Sequence, residues 1–460
     1  MQPIDQYQKE LADGNRREYG LYYDQLRKLS YYRAAEADDE RSRLLQSIDG
    51  KAGSAFNGTK PFAHHISPGC RLCGEGQWSC LFVNNRCNCN CFYCPTPQID
   101  TGIPETQGLN FSDPRNYVDY IRKFGFKGVS LSGGEPLLTF DTTLDFLRTV
   151  KHEFGTKIYL WLYTNGTLLT EEKAELLAAA GLDELRFDLS ATAYSTRFLK
   201  HALGKIPSVT VEIPAIPEEI EQMKQMAVEL DQLGVNFLNL HQMRLTPYNL
   251  KNLLHRNYTF LHGPRMTVLE SELAALEMIR FTFEQGLHIG VNYCSFHYKN
   301  HFQKAGFRHK LAPFIAGAFE EITENGYIRK FYQNISTQAY HALNDDQKSG
   351  QYCTEEQRLY LTKDQVVASK LPEFPVHLEY FSTSIHKTPV ENGTKILLNN
   401  SLPVFIGRKP AGQKITVLPQ ELVNLQKIMA GEISEEETES REFLDILQKE
   451  IPAKGFGTYY

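Results

Sequence analysis

Short apolar runs alternate with amphipathic stretches through the middle of the chain, from about residue 78 to residue 295. The runs are rich in β-branched and aromatic residues, whereas the stretches between them carry apolar residues at helical spacing. The runs are CLFVNN (80–85), KGVSLS (127–132), KIYLWLY (157–163), ELRFDL (184–189), VTVEIPA (209–215), VNFLNLH (235–241) and HIGVNYC (288–294). Strands that alternate with helices predict βαβ units and a parallel sheet that is buried on both faces.

Six or seven such units favour a closed or partly open parallel α/β barrel over a single open sheet. In such barrels the chemistry lies at the C-terminal ends of the strands. The flanks have a different pattern. Residues 1–60 predict a polar helical extension, and residues 311–460 predict an α+β region with antiparallel strands at VHLEYFST (376–383), TKILLNN (394–400) and LPVFIG (402–407). The predicted domains are therefore 1–60, 61–310 and 311–460.

Composition and charge narrow the function classes. The 460 residues are 42% hydrophobic and 23% charged, which is an ordinary globular balance. The 49 Lys and Arg residues against 55 Asp and Glu residues leave a net charge of −6, which argues against a nucleic-acid or anionic-lipid partner. The sequence has neither an apolar stretch of about 18 residues nor the apolar core of a signal peptide. These features predict a soluble cytoplasmic protein without a membrane partner.

Seven of the nine cysteines lie between Cys70 and Cys94. An odd number of cysteines in one short segment, without a secretion signal, favours metal ligation over disulfides. Cys87, Cys91 and Cys94 form a CxxxCxxC loop directly after the first predicted strand. Three thiolates on one loop can each bind one iron of a cubane and leave the fourth iron open for catalysis. Cys89 falls between two of these residues and is not expected to be a ligand.

Two further motifs follow the second and third predicted strands. The first is Ser132-Gly-Gly-Glu-Pro136, in which glycines permit close backbone approach to a ligand and a carboxylate can receive an ammonium group. The second is Tyr163-Thr-Asn-Gly166, a short polar turn. Later strands end in polar side chains, which are Arg186, Asp188, Ser190, Glu212, Asn239 and His241.

The CxxxCxxC loop, with Tyr93 before its last cysteine and GGEP after the next strand, resembles the radical S-adenosylmethionine (SAM) superfamily. The resemblance covers about residues 68–310. More narrowly, VEIPAIPE, FLNLHQ and VNYCSFHYKNHFQ resemble a little-characterised branch related to pyruvate formate-lyase activating enzymes. The resemblance implies a partial or near-complete parallel (β/α) barrel and a [4Fe–4S] cluster on Cys87, Cys91 and Cys94, with SAM on the open iron. It also implies a flavodoxin- or ferredoxin-type electron donor and hydrogen abstraction from a small-molecule or peptide substrate.

The same resemblance implies which residues bind SAM. Glu135 would contact the amino group, and Asp188, Ser190 and Glu212 are the candidates for the ribose hydroxyls and the carboxylate. Prolines replace the glycine of the fifth-strand motif, so an adenine contact through Ile216 departs from the family pattern. The full set of expected SAM-binding residues is Tyr93, Gly133, Gly134, Glu135, Pro136, Asn165, Asp188, Ser190, Glu212 and Ile216.

A second metal site is predicted upstream of the first strand. Cys70 and Cys73 have the C-x2-C spacing of zinc and iron–sulfur sites, and Cys80 and Cys294 are candidates to complete the set. An auxiliary iron–sulfur cluster, a structural zinc and uncoordinated thiols all remain open. The neighbouring pair His64-His65 is a further candidate, although paired surface histidines are commoner.

A competing hypothesis is a non-catalytic, zinc-binding module for protein or nucleic-acid interaction, in which GGEP would have no role. Within the enzyme hypothesis, residues 311–460 could form a lid or a β-edge that binds an extended peptide. The tail GFGTYY could cover the site, although a disordered terminus is the default expectation.

Overall fold

The structure is a computed structural model that describes residues 3–99, 102–348, 350–368, 371, 373–399, 401–435 and 437–459. The chain forms two compact units. The barrel unit comprises Gln8–Gln303, Leu398–Leu402 and Lys454–Tyr460, and the C-terminal unit comprises Met1–Tyr7, Lys304–Leu397 and Pro403–Ala453. Most of residues 1–60 thus belong to the same unit as the predicted barrel.

Parallel strands form the centre of the barrel unit and follow one another in chain order. They are β1 (Trp78–Asn84), β2 (Gly128–Gly133), β3 (Tyr159–Thr164), β4 (Glu184–Phe187), β5 (Ser208–Pro214), β6 (Phe237–His241) and β7 (Gly290–Cys294). Each strand pairs in parallel with the next. The antiparallel strand Lys60–Ala63 covers β7, and Glu105–Thr106 covers β1. The predicted parallel α/β core is therefore confirmed, as an open arc rather than a closed barrel.

Helices connect these strands and flank them. The α-helices are Pro3–Tyr19, Tyr31–Ile48, Pro68–Gly74, Pro114–Phe124, Phe140–Phe154, Glu171–Ala179, Ile220–Gln232, Leu250–Leu253, Leu269–Glu284, Phe296–Tyr298, Lys304–Leu311, Thr337–Ala342, Lys363–Ala368, Leu422–Ala430 and Arg441–Glu450. Among the described residues, none of these helices has the length and apolar character needed to cross a bilayer.

Local sequence explains why these helices begin and end where they do. Helix Pro114–Phe124 begins after Asp113, whose side chain accepts a hydrogen bond from the backbone N–H of Arg115. Proline is well suited to the first helical position because its missing N–H has no partner there in any case. The helix ends at Gly125, which has a φ of 63° in the left-handed region that glycine adopts without strain.

The C-terminal unit is built on an antiparallel sheet, as the sequence predicted. The strand order is Gln351–Cys353, Arg358–Leu361, Ile328–Asn334, Val376–His386, Leu402–Pro410 and Thr394–Leu398. Two short strands, Glu321–Ile322 and Ile415–Val417, pair with its central strands. Residues of this sheet and of the last two helices share one apolar core. The three antiparallel strands expected from sequence are confirmed, and Asn400 lies outside the described residues.

The C-terminal tail packs against the barrel unit instead of forming the disordered terminus expected by default. The ring of Phe456 stacks on Tyr293, with centroids 6.2 Å apart. Arg41 donates to the carbonyl oxygen of Gly457 at 2.9 Å and lies over the ring of Tyr459 at 4.0 Å. Residues 455–459 therefore form a strap across the barrel unit, and Tyr460 lies outside the described residues.

His297 lies beside this strap and should make stability depend on pH. Burial, followed by the charges of His301 and Arg41, lowers the pKa of His297 to about 3. The ordinary pKa of histidine, which applies in the unfolded chain, is about 6.5. Between pH 6.5 and pH 3, His297 is therefore protonated in the unfolded chain but neutral in the folded protein. The contribution of His297 is complete above pH 6.5 and is lost as the pH falls towards 3. We expect protonation of His297 in the unfolded chain to lower the free energy of unfolding by about 1–2 kcal/mol when the pH falls from 7 to 5.

The measurement is chemical denaturation of the wild type and of His297→Leu at both pH values. The difference in unfolding free energy between the two proteins should change by that amount, because the other titrating groups are shared. A difference that is the same at pH 7 and pH 5 would contradict a His297 that stays neutral in the folded protein.

Candidate active site

The loop that follows β1 carries the three cysteines of the CxxxCxxC motif. Cys87, Cys91 and Cys94 are all partly exposed. The loop is tightly turned, since Cys94 donates its backbone N–H to the Cys91 carbonyl at 3.1 Å. The backbone N–H of Cys89 donates to the sulfur of Cys87 at 3.4 Å. A partly open loop with three thiols and an N–H aimed at sulfur suits an iron–sulfur cluster.

The spacing of these thiols also bears on the kind of metal group they suit. Within the described residues, no three His, Cys, Asp or Glu side chains converge on a point that could hold a single metal ion. A cubane does not require such convergence, because it distributes its thiolates over separate irons. The three-cysteine loop therefore offers the three thiol donors that a cubane with one open iron requires.

The two glycines after β2 allow the root of the cysteine loop to lie against this strand. A Cβ on Gly134 would lie 1.9 Å from the carbonyl oxygen of Arg86, and one on Gly133 would lie 2.1 Å from that of Asn84. Because neither glycine has a side chain, the two backbones can approach closely. The backbone N–H of Gly134 donates to the Asn84 carbonyl at 3.0 Å, and the backbone N–H of Glu135 donates to the Arg86 carbonyl at 2.7 Å. These contacts fix the backbone directly before Cys87.

Gly134→Ala should therefore impair cluster binding. The added Cβ would also lie 2.9 Å from the backbone nitrogen of Cys87, so the loop must move away from β2. We expect a severalfold loss of bound iron and sulfide after anaerobic reconstitution, with the circular dichroism of the folded chain retained. Gly14→Ala is the matched control, because a Cβ on Gly14 meets nothing within 4 Å. Equal iron content in both variants would show that close backbone approach at Gly134 is not needed.

The carboxylate of Glu135 accepts hydrogen bonds from other residues of the protein. Its side chain is completely buried, and its carboxylate accepts hydrogen bonds from the Leu137 N–H at 2.9 Å, the Thr164 hydroxyl at 2.9 Å and the Asn165 N–H at 2.7 Å. The next residue, Pro136, opens a buried 3-10 turn. The carboxylate expected to meet an ammonium group thus ties the turn after β2 to the turn after β3.

The polar turn after β3 lies beside the first cysteine. The side-chain amide of Asn165 donates to the Asn88 side chain at 2.8 Å and lies 3.8 Å from the sulfur of Cys87. Gly166 follows with a φ of +81°, and a Cβ there would meet the Phe187 ring at 3.0 Å. The structure therefore brings Asn165 to the cysteine loop, where the sequence expected a cofactor contact.

Tyr93 joins the loop to the end of β4. Its hydroxyl donates to the Asp188 carboxylate at 3.0 and 3.2 Å, and lies 2.5 Å from the Ser190 hydroxyl. Three of the residues expected to bind SAM are thus neighbours, although in this structure they bind one another. Because all three are only partly buried, the group lies at the surface of the carboxyl edge.

Glu212 and Ile216 lie deeper than the loop. Glu212 accepts from Arg186 at 2.6 Å and from Asn239 at 2.9 Å. Burial alone would raise the pKa of Glu212, but the charges of Arg186 and His241 lower it to about 2. Ile216 is 1% exposed and belongs to an apolar cluster against which Tyr93 packs. The structure buries Ile216 and leaves Glu212 partly exposed beside Arg186.

Sequence reasoning missed the segment after β6 that holds the cysteine loop from the other side. Asn249 is completely buried and donates to the carbonyl oxygens of Tyr93 at 3.0 Å and Arg244 at 3.1 Å. The guanidinium of Arg256 lies 3.4 Å from the centre of the Phe92 ring. A possible sequence signal was the Thr246–Asn249 turn, in which the Asn249 side chain accepts from the Thr246 N–H at 2.8 Å, but turns of this kind are common in loops.

The four candidates for a second metal site do not all come together. Cys80 on β1 neighbours the hydroxyls of Ser130 and Ser132 on β2, whereas Cys70, Cys73 and Cys294 lie close enough for their charges to act on the same buried group, Lys60. The His64-His65 pair lies elsewhere: both residues are exposed, and His64 contacts the Leu287 carbonyl at 2.7 Å.

Comparison with known proteins identifies the core of the barrel unit. Residues 81–230 match the family model of the radical SAM superfamily. The chain is 28% identical over 275 residues, 57% of its length, to a Methanocaldococcus jannaschii protein that carries the provisional name glycyl-radical enzyme activating enzyme, and it covers 72% of that protein. It is 35% identical to GTP 3′,8-cyclase of Aliarcobacter butzleri over 107 residues, which is 23% of this chain and 32% of the cyclase.

Among solved structures, the crystal structure of Streptococcus suis SuiB bound to S-adenosylmethionine matches 70% of this chain and 70% of SuiB, with 14% identity and a TM-score of 0.36. The residues matched by the superfamily model include the cysteine loop, the glycine motif and the polar turn after β3. Because the superfamily and the Methanocaldococcus jannaschii protein are named as enzymes, the competing hypothesis of a non-catalytic zinc module is not supported. Residues 81–230 are therefore a radical SAM domain, and these two matches support an enzyme.

Proposed function

We propose that this enzyme binds a [4Fe–4S] cluster through Cys87, Cys91 and Cys94, cleaves SAM reductively there, and abstracts a hydrogen atom from a glycine-containing peptide or protein segment. The observation that carries the proposal is the three-cysteine loop, which is held to the carboxyl ends of β2, β3 and β4. The donor set fits the cluster, because it offers three thiols on one partly open loop.

Held by Cys87, Cys91 and Cys94, the cluster would supply the one electron needed to cleave the S–C5′ bond of SAM, with methionine and 5′-deoxyadenosine as the expected products and a substrate that has lost one hydrogen atom. The electron comes from an external donor of the flavodoxin or ferredoxin type.

The residues of this chain position these partners. Gly133, Gly134 and Pro136 shape the turn beside the cluster loop, and Glu135 fixes that turn to β3. Asn165 lies 3.8 Å from the Cys87 sulfur, where its amide can donate to a thiolate. We assign the SAM ribose and carboxylate to the surface formed by Tyr93, Asp188 and Ser190, because this group is both polar and partly exposed. Glu212 and Ile216 support the site from within the barrel unit.

Two observations support a peptide substrate. The first is the likeness to a protein named for activation of a glycyl-radical enzyme. The second is the C-terminal unit, whose antiparallel sheet ends in the strands Gln351–Cys353 and Thr394–Leu398. Edge strands carry unpaired backbone N–H and C=O groups, and an extended peptide can pair with them.

Anaerobic reconstitution followed by reduction with dithionite in the presence of SAM tests the chemistry. We expect about four irons at the Cys87 loop and formation of 5′-deoxyadenosine and methionine in equal amounts. A reconstituted cluster that yields no 5′-deoxyadenosine would overturn the proposal.

The substrate class is tested with synthetic peptides whose glycine Cα carries deuterium. Deuterium in the 5′-deoxyadenosine produced would show abstraction from that carbon. Matched peptides with deuterium only on an alanine Cα are the control. If SAM is cleaved but no label is transferred from any glycine peptide, the peptide proposal is wrong while SAM cleavage stands.

A further inference from the structure

Three cysteines outside the CxxxCxxC loop surround one buried lysine inside the barrel unit. Cys70 and Cys73 lie on helix Pro68–Gly74, and Cys294 ends β7. Lys60 lies on the strand Lys60–Ala63, which pairs with Gly53–Ala55 on one side and with β7 on the other. Its ammonium lies 3.5 Å from the carbonyl of Tyr293, the neighbour of Cys294, and over the ring of Tyr298, whose hydroxyl donates to the Cys70 carbonyl at 3.5 Å. The three sulfurs and the Glu212 carboxylate also affect the pKa of Lys60. Residues far apart in the sequence are thus gathered around one point, which we call the Lys60 cluster.

Hydrogen-bond donors point at two of the three sulfurs. The Gln303 side-chain amide donates to the sulfur of Cys73 at 3.1 Å, which is short for a bond to sulfur, and the Tyr298 hydroxyl is a further neighbour of that sulfur. The Arg186 guanidinium lies 3.8 Å from the sulfur of Cys70. A neutral thiol is a weak acceptor, whereas thiolates bound to iron accept such bonds well. Burial raises the pKa of both thiols, so these donors would gain strength only when the sulfurs bind a metal group as thiolates.

The surroundings of the Lys60 ammonium also favour an anionic group at this site. It is 1% exposed, and its ammonium contacts the Tyr293 carbonyl at 3.5 Å and the face of the Tyr298 ring at 4.7 Å. In the described part of the chain, no carboxylate lies within ion-pair distance of this ammonium. The nearby Glu212 carboxylate affects Lys60 but already accepts from Arg186 and Asn239. A buried cation without a directly paired anion is costly. An anionic group among the three sulfurs would remove that cost.

We propose that Cys70, Cys73 and Cys294 bind a second iron–sulfur cluster, and that Lys60 compensates its negative charge. Cys80 is not a ligand, because it lies with the serines of β2. A cluster suits three thiols, because each thiolate can bind a separate iron. The site lies in the barrel unit and is formed by residues that the Cys87 loop does not use.

The test separates the two clusters by removing one set of ligands at a time. The variant Cys87→Ala/Cys91→Ala/Cys94→Ala, reconstituted anaerobically, should retain about four irons and four sulfides per chain. The complementary variant Cys70→Ala/Cys73→Ala/Cys294→Ala should also retain about four, and the wild type about eight. Thermal unfolding verifies that each variant is folded, and the control variants Cys80→Ala and Cys353→Ala should keep the wild-type count.

The midpoint potential of the second cluster tests the role of Lys60. In the variant that lacks the Cys87 loop ligands, Lys60→Met should shift the midpoint potential of the remaining cluster to a more negative value, because a buried positive charge is removed beside it. An unchanged potential would contradict the assignment of Lys60 as the compensating charge.

The proposal is overturned if the folded variant without Cys87, Cys91 and Cys94 holds neither iron nor sulfide. It is also overturned if that variant holds zinc without sulfide. Neither result affects the proposed function, which is tested separately by SAM cleavage in the wild type. Conversely, a wild type that binds eight irons but leaves SAM intact would support the second cluster and contradict the proposed function.

Discussion

Cys91→Ser is expected to reduce 5′-deoxyadenosine formation by more than about 100-fold. Loss of a hydrogen-bonding partner around a metal site typically costs 10–100-fold, and removal of a ligand should cost more. The loop would lose one of its three iron-binding thiolates while keeping nearly the same shape. The measurement is the initial rate of 5′-deoxyadenosine release under dithionite, together with iron and sulfide content.

Cys89→Ser is the matched control, because Cys89 lies on the same loop and is also partly exposed. We expect that variant to keep both its cluster and its rate. If Cys89→Ser lost the cluster while Cys91→Ser kept it, the assignment of ligands on this loop would be wrong.

Arg186→Met is expected to lower the free energy of unfolding of the barrel unit by about 3–5 kcal/mol. The Arg186 side chain is 3% exposed and pairs with Glu184, which is 0% exposed, and with Glu212, which is 15% exposed. Removal of the guanidinium leaves two carboxylates in a poorly hydrated interior. The apolar replacement fills much of the same volume, so the expected loss reflects unpaired charge rather than a cavity.

Tryptophan fluorescence during chemical denaturation is a suitable measurement, because both tryptophans lie in the barrel unit and the Trp161 ring is 4.9 Å from the Arg186 guanidinium. The variant Arg186→Met/Glu184→Gln/Glu212→Gln should recover most of the stability, because it removes the unpaired charges. A loss below about 1 kcal/mol in the single variant would indicate that the carboxylates are hydrated or protonated without cost.

The parts of the fold that sequence could predict depend on short-range patterns. The seven parallel strands follow from apolar runs separated by helical stretches, and each run is read from neighbouring residues. The CxxxCxxC loop is equally local, since Cys87 and Cys94 are close in the chain. Gly134 was expected to let the backbone approach a ligand, and in the structure the group that lies against it is the carbonyl oxygen of Arg86.

The remainder depends on contacts between distant residues. The sequence identified Glu135 as a carboxylate at a strand end, but not that Thr164 and Asn165 would occupy its oxygens. It gave no indication that Asn249 would support Tyr93 across 156 residues of chain. The sequence also could not predict that Cys80 would lie apart from Cys70 and Cys73, because this depends on which residues of β2 face β1.

The pairing of the strand Lys60–Ala63 with β7 has a consequence for the synthesis of the protein. The ammonium of Lys60 meets a carbonyl 233 residues later in the chain. During synthesis, this edge and the helix that carries Cys70 and Cys73 remain without their partner until β7 has left the ribosome. Contacts of such long range are slow to form, because closure of a long loop precedes any gain from pairing. A nascent chain that stops before β7 should therefore expose an unpaired strand and bind holdase chaperones more strongly than the full-length chain.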